Sequence, residues 1–320
     1  MNVTRARKHL PRQEAMRLEN EVRTILFRNR DGSESTKAGR EDMLLMCVEQ
    51  LYKGGFKKNH DGSPIGIRDL KGRHINFLVK SWQKQGLAVG TIKNRMANLR
   101  WLAEKIGDKG LIKATNKQYG IDERQYITNE NKSRDLAKLS EVDKSHLSEY
   151  VRLSVELQQA FGLRREESMK FQPSYALAGF SPDNAEQIRI KPSWAKGGRY
   201  REIPVTNDYQ RDLLRQAVAM SKNCENGSLI PKQFYKTHLA TFELETAKAG
   251  IGKTHGLRHH YAQQRYFQLT GWQCPAVSGI RALSEVEKEI DKQARQQVSR
   301  ELGHERLSIT GVYLGSWALK

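Results

Sequence analysis

A polar stretch between residues 116 and 134 divides the sequence into two parts that each carry the spacing of helices. It holds few large apolar residues, which is typical of an exposed connection between domains. Apolar residues recur at helical spacing before it, and a second such pattern begins at Ser140. We therefore predict two domains, at residues 1–130 and 139–320, joined by a linker at residues 131–138.

The second part also contains one predicted pair of strands. Residues 187–191 and 200–205 alternate apolar and polar side chains on either side of Lys196-Gly197-Gly198, a pattern typical of a β-hairpin. The predicted fold class is mainly α, with an N-terminal helical lobe and a mostly helical C-terminal domain that contains a small β-hairpin. The predicted helices of the second part cover residues 140–161, 207–222, 232–249, 256–270 and 284–301.

Charge restricts the partners of such a chain. Its 320 residues include 55 Lys and Arg against 36 Asp and Glu, a net charge of +19, and both predicted domains share the excess. Hydrophobic residues make up 38% of the chain, enough to pack two cores, so disorder does not explain the charge. An excess spread over two folded domains favours a polyanion clamped by both, such as duplex DNA. A generally cationic surface is the alternative.

Other protein classes fit poorly. No run approaches the roughly 18 apolar residues of a membrane span, and no apolar segment follows the basic residues near Met1. We therefore expect no membrane partner, no signal peptide and a cytoplasmic location. Cys47, Cys224 and Cys274 lie far apart, which favours reduced thiols over disulfides or a thiolate zinc site.

Two further motifs suggest cofactors but lack the required context. Residues 247–254 resemble a phosphate-binding loop, yet a helical pattern precedes them where that loop needs a buried strand. His255 and His259 have the spacing of zinc ligands, but Gly256 occupies the position of the glutamate base. We expect no cofactor and no bound metal.

The clearest helix of the first part is predicted to begin with Thr91 as its N-cap. Lys93, Arg95 and Arg100 point away from its apolar face and are candidate DNA contacts. A solvated helix surface explains these three residues equally well.

The second part carries an ordered set of motifs. In chain order they are Gly162-Leu163-Arg164-Arg165-Glu166-Glu167, Ala195-Lys196-Gly197-Gly198, His255-Gly256-Leu257-Arg258-His259, Leu302-Gly303-His304 and Tyr313. Each alone occurs by chance. Their order, and the nine-residue step from His304 to Tyr313, resembles the tyrosine recombinase (phage integrase) family of DNA strand-exchange enzymes, over residues 140 to 315.

The residue types suit chemistry at a phosphodiester. Attack on phosphorus accumulates negative charge on the non-bridging oxygens. A guanidinium group is permanently charged and its planar fork matches phosphate oxygens, so Arg164 and Arg258 are the predicted clamps. His255 lies three residues before Arg258, and both side chains can address one phosphate if a helix begins at Thr254.

The resemblance implies the remaining roles. Lys196 would protonate the departing 5′ oxygen, His304 would donate a hydrogen bond to the same phosphate, and Tyr313 would form a 3′-phosphotyrosyl link. Because this link keeps the energy of the broken bond, resealing needs neither ATP nor metal. Nine residues are about two and a half helical turns, so we predict that His304 lies on a turn and Tyr313 on a separate short helix.

Neighbouring residues receive structural roles. Glu167 is predicted to orient Arg164, while His259 and His260 are predicted to pack or cap. Residues 284–300 lengthen the usual spacing of the family and are predicted to form an inserted helix, either a partner-binding element or a solvated flap. Core positions are predicted for Trp194 and Tyr261, and a contact within the chain or with a neighbouring protomer for Trp317 and Leu319.

The leading functional hypothesis is a site-specific recombinase or integrase of a mobile element. It would act as a homo-tetramer on double-stranded DNA attachment sites, in the cytoplasm and associated with the nucleoid, with an accessory DNA-bending protein as a candidate partner. One alternative is a DNA-relaxing enzyme of the type IB topoisomerase kind, which shares the catalytic set. Another is a non-catalytic DNA-binding regulator, which has no use for the tyrosine nucleophile.

Overall fold

The chain folds into two compact units in a computed structural model, and Met1–Gln125 and Tyr126–Lys320 are their bounds. The division lies a few residues before the linker predicted at residues 131–138. The structure describes residues 10–195, 197–224, 227–231, 234–304 and 306–318, with the side chains of residues 141 and 142 left out.

The first unit is helical over its described residues. Its elements are α1 (Arg12–Arg28), α2 (Glu34–Lys53), α3 (Gly72–Lys84), α4 (Val89–Lys105) and a 3-10 turn at Lys117–Tyr119. Each long helix buries one apolar stripe in a shared core, where Leu18, Leu44 and Trp82 are fully buried.

The start predicted for α4 was wrong. The helix begins at Val89 with Ala88 as its N-cap, and Thr91 lies inside the first turn. The Thr91 N–H donates to the Ala88 carbonyl at 2.8 Å, so a backbone hydrogen bond replaces the expected side-chain cap.

The second unit is mostly helical, as predicted, with one small sheet. Its α-helices are α5 (Glu141–Ser145), α6 (Glu149–Phe161), α7 (Arg165–Met169), α8 (Pro173–Ala176), α9 (Asp208–Ser221), α10 (Tyr235–Lys248), α11 (His255–Thr270), α12 (Pro275–Ser278), α13 (Glu285–Glu301) and α14 (Gly311–Leu314). Strands β1 (Gln187–Ile190) and β2 (Arg201–Pro204) pair antiparallel with Ile188 opposite Ile203, which confirms the hairpin. Further 3-10 turns cover Leu136–Lys138, Pro192–Trp194 and Leu307–Thr310.

The single helix predicted over residues 140–161 is two helices, α5 and α6. Ser148 separates them, because its backbone N–H and its Oγ both donate to the Glu245 carboxylate, at 2.9 and 2.8 Å. A serine that satisfies its own backbone through a distant side chain begins a new helix instead of continuing the old one.

Helix α6 lies at the centre of the second unit and packs against α7, α9, α10 and α11. Trp194 and Tyr261 are buried, which confirms their predicted core positions. Helix α13 packs along α11 and buries Ala294 and Val298, so the hypothesis of a solvated flap was wrong. No helix in the described part of the chain is long and apolar enough to cross a membrane.

Candidate active site

Three predicted catalytic residues, His255, Arg258 and His304, contact Tyr313, and Arg164 shares the Leu302 carbonyl with Arg258. We call this set the clamp cluster; it consists of Arg164, His255, Arg258, His304 and Tyr313. Lys196, the predicted general acid, lies outside the described residues.

Gly162 begins the site, because it ends α6 and turns the chain towards Arg164. It adopts φ +60°, a left-handed conformation that side chains disfavour, and a Cβ there would lie 2.5 Å from the Tyr261 ring. The turn aims the Gly162 carbonyl at Arg258, which donates to it through Nη1. The glycine of the motif is therefore required by sterics and by the direction of its carbonyl.

A carboxylate orients Arg164. Its Nη1 donates to Glu167 Oε1 at 2.7 Å, and its backbone N–H donates to Glu167 Oε2 at 2.7 Å. The remaining Nη2 reaches the Leu302 carbonyl at 3.4 Å. The structure thus gives Glu167 the orienting contact that the sequence predicts.

Backbone carbonyls orient Arg258. This side chain is 1% exposed and donates to the carbonyls of Gly162 and Leu302, and its Nε donates to Tyr313 Oη at 3.2 Å. Burial, with a smaller contribution from the nearby Arg164 and Arg201 cations, lowers the pKa of Arg258 to about 10. The group therefore stays cationic at neutral pH.

His304 and Tyr313 meet from separate elements, which confirms the prediction made from their spacing. His304 follows the turn that ends α13, and Tyr313 lies on the four-residue helix α14. The His304 Nε2 and Tyr313 Oη atoms are 3.2 Å apart. Burial and the cations Arg258 and Arg164 lower the pKa of His304 to about 3, so its ring is neutral at neutral pH.

Two histidines of α11 flank the tyrosine ring. His255, at the exposed start of the helix, lies 5.8 Å from it between ring centroids, and the buried His259 lies 4.7 Å from it. Burial and the neighbouring His255 lower the pKa of His259 to about 4. His259 was predicted to pack or cap; its four-residue step from His255 on one helix face was the signal that both contact the same group.

Arg201 is the second residue whose place at the site the sequence did not indicate. It lies at the start of β2, is 6% exposed, and its guanidinium donates to both oxygens of Glu167. Burial opposes ionisation of Glu167, but the Arg201 hydrogen bond and the Arg201, Arg164 and Arg258 charges outweigh it and hold the Glu167 pKa at about 2.

The chain around Tyr313 is fixed from two sides. Asn129 exchanges two hydrogen bonds with the backbone of Ser316, at 3.1 and 2.8 Å. On the other side, the Asp291 carboxylate accepts from Arg295 Nε at 2.9 Å, from Tyr266 Oη at 2.6 Å and from Trp317 Nε1 at 2.9 Å. We call this second set (Tyr266, Asp291, Arg295 and Trp317) the tail network. Trp317 therefore has a contact within its own chain, whereas Leu319 lies outside the described residues.

The candidate DNA contacts of the first unit lie apart from this site in the sequence and have different surroundings. Lys93, Arg95 and Arg100 are all partly exposed on α4. The Arg95 guanidinium lies over the Trp82 ring at 5.0 Å, and burial lowers its pKa. One nitrogen each of Arg95 and Arg100 is buried without a hydrogen-bond partner in the described part of the chain. Contact with DNA stays a prediction for all three.

The clamp cluster places the Tyr313 phenol beside the Arg258 guanidinium and the rings of His304 and His255, and the Arg164 guanidinium shares the Leu302 carbonyl with Arg258. Such donors suit a reaction in which charge accumulates on phosphate oxygens. Among the described residues, no group of three His, Cys, Asp or Glu side chains is arranged to hold a metal ion.

Comparison with known proteins agrees with this geometry. The family profile described as integrase matches residues 125–264, and the one described as phage integrase, N-terminal, matches residues 16–112. No curated protein sequence matches the chain.

Solved structures show the same fold at low identity. XerH site-specific recombinase bound to difH substrate matches with 17% identity and a TM-score of 0.55, covering 94% of this chain and 83% of that one. A lambda integrase dimer bound to a COC′ core site matches with 13% identity and a TM-score of 0.54, covering 96% and 81%. The Tn1549 transposon integrase in complex with transposon right end DNA matches with 14% identity and a TM-score of 0.53, covering 92% and 94%. The two profiles together span most of the chain and the five motifs occur in order, so the chain belongs to the tyrosine recombinase (phage integrase) family of DNA strand-exchange enzymes.

Proposed function

We propose that this chain is a site-specific DNA recombinase that cuts and rejoins DNA through a 3′-phosphotyrosyl intermediate, using Tyr313 as nucleophile. The observation that carries the proposal is the double contact of Tyr313 Oη, 3.2 Å from both Arg258 Nε and His304 Nε2. A phenol placed between a fixed cation and a neutral imidazole has a group to stabilise its anion and a group to take its proton.

The cleavage step that we propose uses these groups together with Lys196. Tyr313 Oη attacks the scissile phosphorus, the bond from phosphorus to the 5′ oxygen breaks, and the phenol proton passes to the adjacent His304 ring. Arg164 and Arg258 hold the non-bridging oxygens, and the departing 5′ oxygen takes a proton from Lys196. The anionic phosphate also offsets the arginine charges that lower the His304 pKa, so the ring becomes a better proton acceptor once DNA is bound.

Strand exchange is the reverse reaction with a different partner. A 5′ hydroxyl from a second duplex attacks the phosphotyrosyl phosphorus and releases Tyr313. No high-energy cofactor enters, because one phosphodiester is exchanged for another.

The assembly proposed is a homo-tetramer on two attachment sites. Structural relatives include a lambda integrase tetramer bound to a Holliday junction, with a TM-score of 0.53 and 13% identity over 96% of this chain. The net charge of +19 suits a DNA partner. An integrase of a mobile element that works on cytoplasmic, nucleoid-associated DNA is the biological setting we propose.

A nicked duplex tests the proposal directly. The protein first selects its site from a randomised duplex pool; that site is then rebuilt with a nick just beyond the scissile phosphate and incubated in EDTA. We expect a covalent protein–DNA adduct whose DNA ends in a 3′ phosphotyrosine, and recombinant product when two intact sites are supplied.

Matched variants assign the nucleophile. Tyr313→Phe should bind the site as wild type does and form no adduct, whereas Tyr209→Phe, at an exposed tyrosine outside the clamp cluster, should form adduct normally. An adduct with relaxation of supercoils and no exchange would indicate topoisomerase activity instead of recombination. No adduct from wild type on a bound site would overturn an enzymatic role, and an adduct from Tyr313→Phe would overturn the nucleophile.

A further inference from the structure

We propose that Arg201 is a positioning residue for DNA cleavage, acting through the Glu167 carboxylate and the Glu301 carbonyl. The inference rests on the proposed recombinase function and concerns a residue that lies outside the five motifs.

The position of Arg201 is unusual for a charged side chain. Residues 201 and 203 face inward from β2 while residues 202 and 204 are half-buried, so Arg201 takes a place beside Ile203 that an apolar side chain would normally fill. Burying a guanidinium costs several kcal/mol unless it is paired, and a well-packed apolar residue is often as stable. A packing role alone therefore does not account for an arginine there.

All three nitrogens of the Arg201 guanidinium donate hydrogen bonds. Its Nη1 and Nη2 donate to the two oxygens of Glu167 at 3.0 and 2.6 Å, and its Nε donates to the Glu301 carbonyl at 2.9 Å. A lysine has neither the planar fork nor a donor on each side. The geometry fixes two separate pieces of chain at once.

The first piece carries Arg164. The Glu167 oxygens that accept from Arg201 also accept from Arg164, one from its Nη1 and the other from its backbone N–H. Arg201 therefore fixes the plane of the carboxylate that orients Arg164. Its hydrogen bond is also the largest contribution that keeps Glu167 ionised against its burial.

The second piece carries His304. The Glu301 carbonyl held by Arg201 is followed by the Leu302 carbonyl, which accepts from Arg258. Gly303 comes next with φ +65°, and a Cβ there would lie 2.9 Å from Arg201 Cδ. The arginine stem thus passes directly beneath the turn that presents His304.

Arg258 donates to the Tyr313 phenol, whereas Arg201 directs its donors to Glu167 and Glu301, so Arg201 is a positioning residue and not a catalytic one. Its loss should therefore leave DNA affinity unchanged and slow the chemical step. A displacement of about 1 Å in a catalytic group costs about 100-fold in rate.

The test is single-turnover adduct formation at saturating DNA, with the DNA dissociation constant measured separately. Arg201→Met should bind the site with a Kd close to that of wild type and form adduct about 100-fold more slowly. The conservative Arg201→Lys keeps the charge but lacks the planar fork. Its rate of adduct formation should lie between those of wild type and Arg201→Met. Arg201→Lys also serves as the measured variant if Arg201→Met does not fold.

Arg265→Met is the matched control. Arg265 is also largely buried and donates to Glu301, but to its carboxylate and not to the backbone carbonyl that Arg201 holds. It should lower the thermal unfolding midpoint to a similar degree and keep an adduct rate near that of wild type. Equal losses of rate in Arg265→Met and the Arg201 variants would show that general destabilisation is the cause and would overturn the proposal.

A double variant tests the route through Glu167. If Arg201 acts through this carboxylate, Arg201→Met combined with Glu167→Gln should lose much less rate than the product of the two single losses. Fully multiplicative losses would contradict the route. Normal adduct formation by a folded Arg201→Lys or Arg201→Met would overturn the positioning role, whereas absence of adduct in wild type would overturn the recombinase function itself.

Discussion

Helix α13 is held at two places by charged side chains, and the two places differ in what they fix. At its C-terminal end, Arg201 and Arg258 donate to the carbonyls of Glu301 and Leu302. In its middle, Asp291 is the acceptor for the tail network. The first place fixes the groups around the Tyr313 phenol, and the second fixes the chain that follows Tyr313.

The two places therefore meet different requirements of the site: one orients the groups around Tyr313, and the other holds the chain that follows it. The end of α13 is bound by Arg258, a member of the clamp cluster, and by Arg201, whose partner Glu167 orients Arg164, so a change there should alter the rate of DNA cleavage. The middle is bound by residues that touch neither the phenol nor the arginine clamps, but Arg295 reaches the Gly315 carbonyl at 3.0 Å, two residues beyond Tyr313. Substitutions at the two places should therefore give different signatures in rate and in stability.

The largest effect on the adduct rate is expected from Arg258→Lys, which disrupts the contact with the Leu302 carbonyl at the C-terminal end of α13. An ammonium is unable to serve the carbonyls of Gly162 and Leu302 and the Tyr313 phenol together. Loss of one such transition-state contact costs about 10²–10³ in rate. We expect that loss in single-turnover adduct formation, with the Asp291 contacts to the tail intact.

Arg265 lies on α11 with Arg258, so Arg265→Lys is the control for Arg258→Lys and should form adduct at the wild-type rate. If both variants were equally slow, the distinction between the clamp and the rest of α11 would be wrong.

Asp291→Asn disrupts the contacts made by the middle of α13 and should lower stability more than it lowers the adduct rate. Removing the charge leaves Arg295 partly buried without its partner, and breaking such a pair costs about 3 kcal/mol. We expect a fall of that size in the free energy of unfolding by urea, and faster chymotrypsin cleavage after Trp317. The adduct rate should change far less than in Arg258→Lys.

Asp212→Asn removes a more exposed carboxylate from an ion pair on α9 and should leave stability and cleavage after Trp317 unchanged. Stability unaltered in Asp291→Asn, or an adduct rate as low as that of Arg258→Lys, would remove the distinction between the two places.

Of the two places, acid should loosen the C-terminal end, because His259 and His304 beside it have lowered pKa values and the tail network contains no histidine. Burial is the main cause that lowers the pKa of His259 to about 4 and of His304 to about 3, from the ordinary 6.5. The unfolded chain therefore binds more protons than the folded chain below pH 6.5. The free energy of unfolding should fall as the pH falls from 7 to 5.

His259→Phe keeps a ring beside Tyr313 and should reduce the loss of stability between pH 7 and pH 5 by about 2 kcal/mol. Asp291→Asn should lose as much stability over this range as wild type does, and so should the exposed-site control His146→Gln. A reduced loss in Asp291→Asn, or an unchanged loss in His259→Phe, would contradict the assignment of the pH effect to the clamp end.

Much of the fold and most of the site could be predicted from local pattern. The long helices α9, α10, α11 and α13, the hairpin and the separate helix of Tyr313 follow from apolar spacing, glycine positions and a nine-residue step that one helix is unable to satisfy, whereas the short helices α7, α8 and α12 were not predicted. Local pattern also explains the errors. Thr91 is a good cap residue in the wrong position, and the break at Ser148 depends on Glu245, a residue 97 positions away.

The missed residues were missed because their partners are distant in sequence. Arg201 is one polar position in an alternating strand until α13 and the Glu167 turn are packed against it. The alternation did place it on the inward face with Ile203, and a charged residue at an inward position was the available signal. The sequence left the role of α13 open for the same reason, since a helix rich in Glu, Lys and Arg has the composition of a solvated helix, and its contacts with Tyr261 and Arg265 through Glu301 depend on the fold.

The smallest effect is expected from Asn129→Ala, which removes a support of the tail that is independent of α13. Two hydrogen bonds to the Ser316 backbone are lost, each contributing about 1 kcal/mol, and water can replace them because the site is partly exposed. Chymotrypsin cleavage after Trp317 should increase less than in Asp291→Asn, and the adduct rate should stay near that of wild type. If the two supports hold the tail independently, the double variant Asn129→Ala and Asp291→Asn should show the sum of the two stability losses. A stability loss in the double variant well below the sum of the two single losses would mean that either substitution alone releases the tail, and that the segment after Tyr313 is held as one unit.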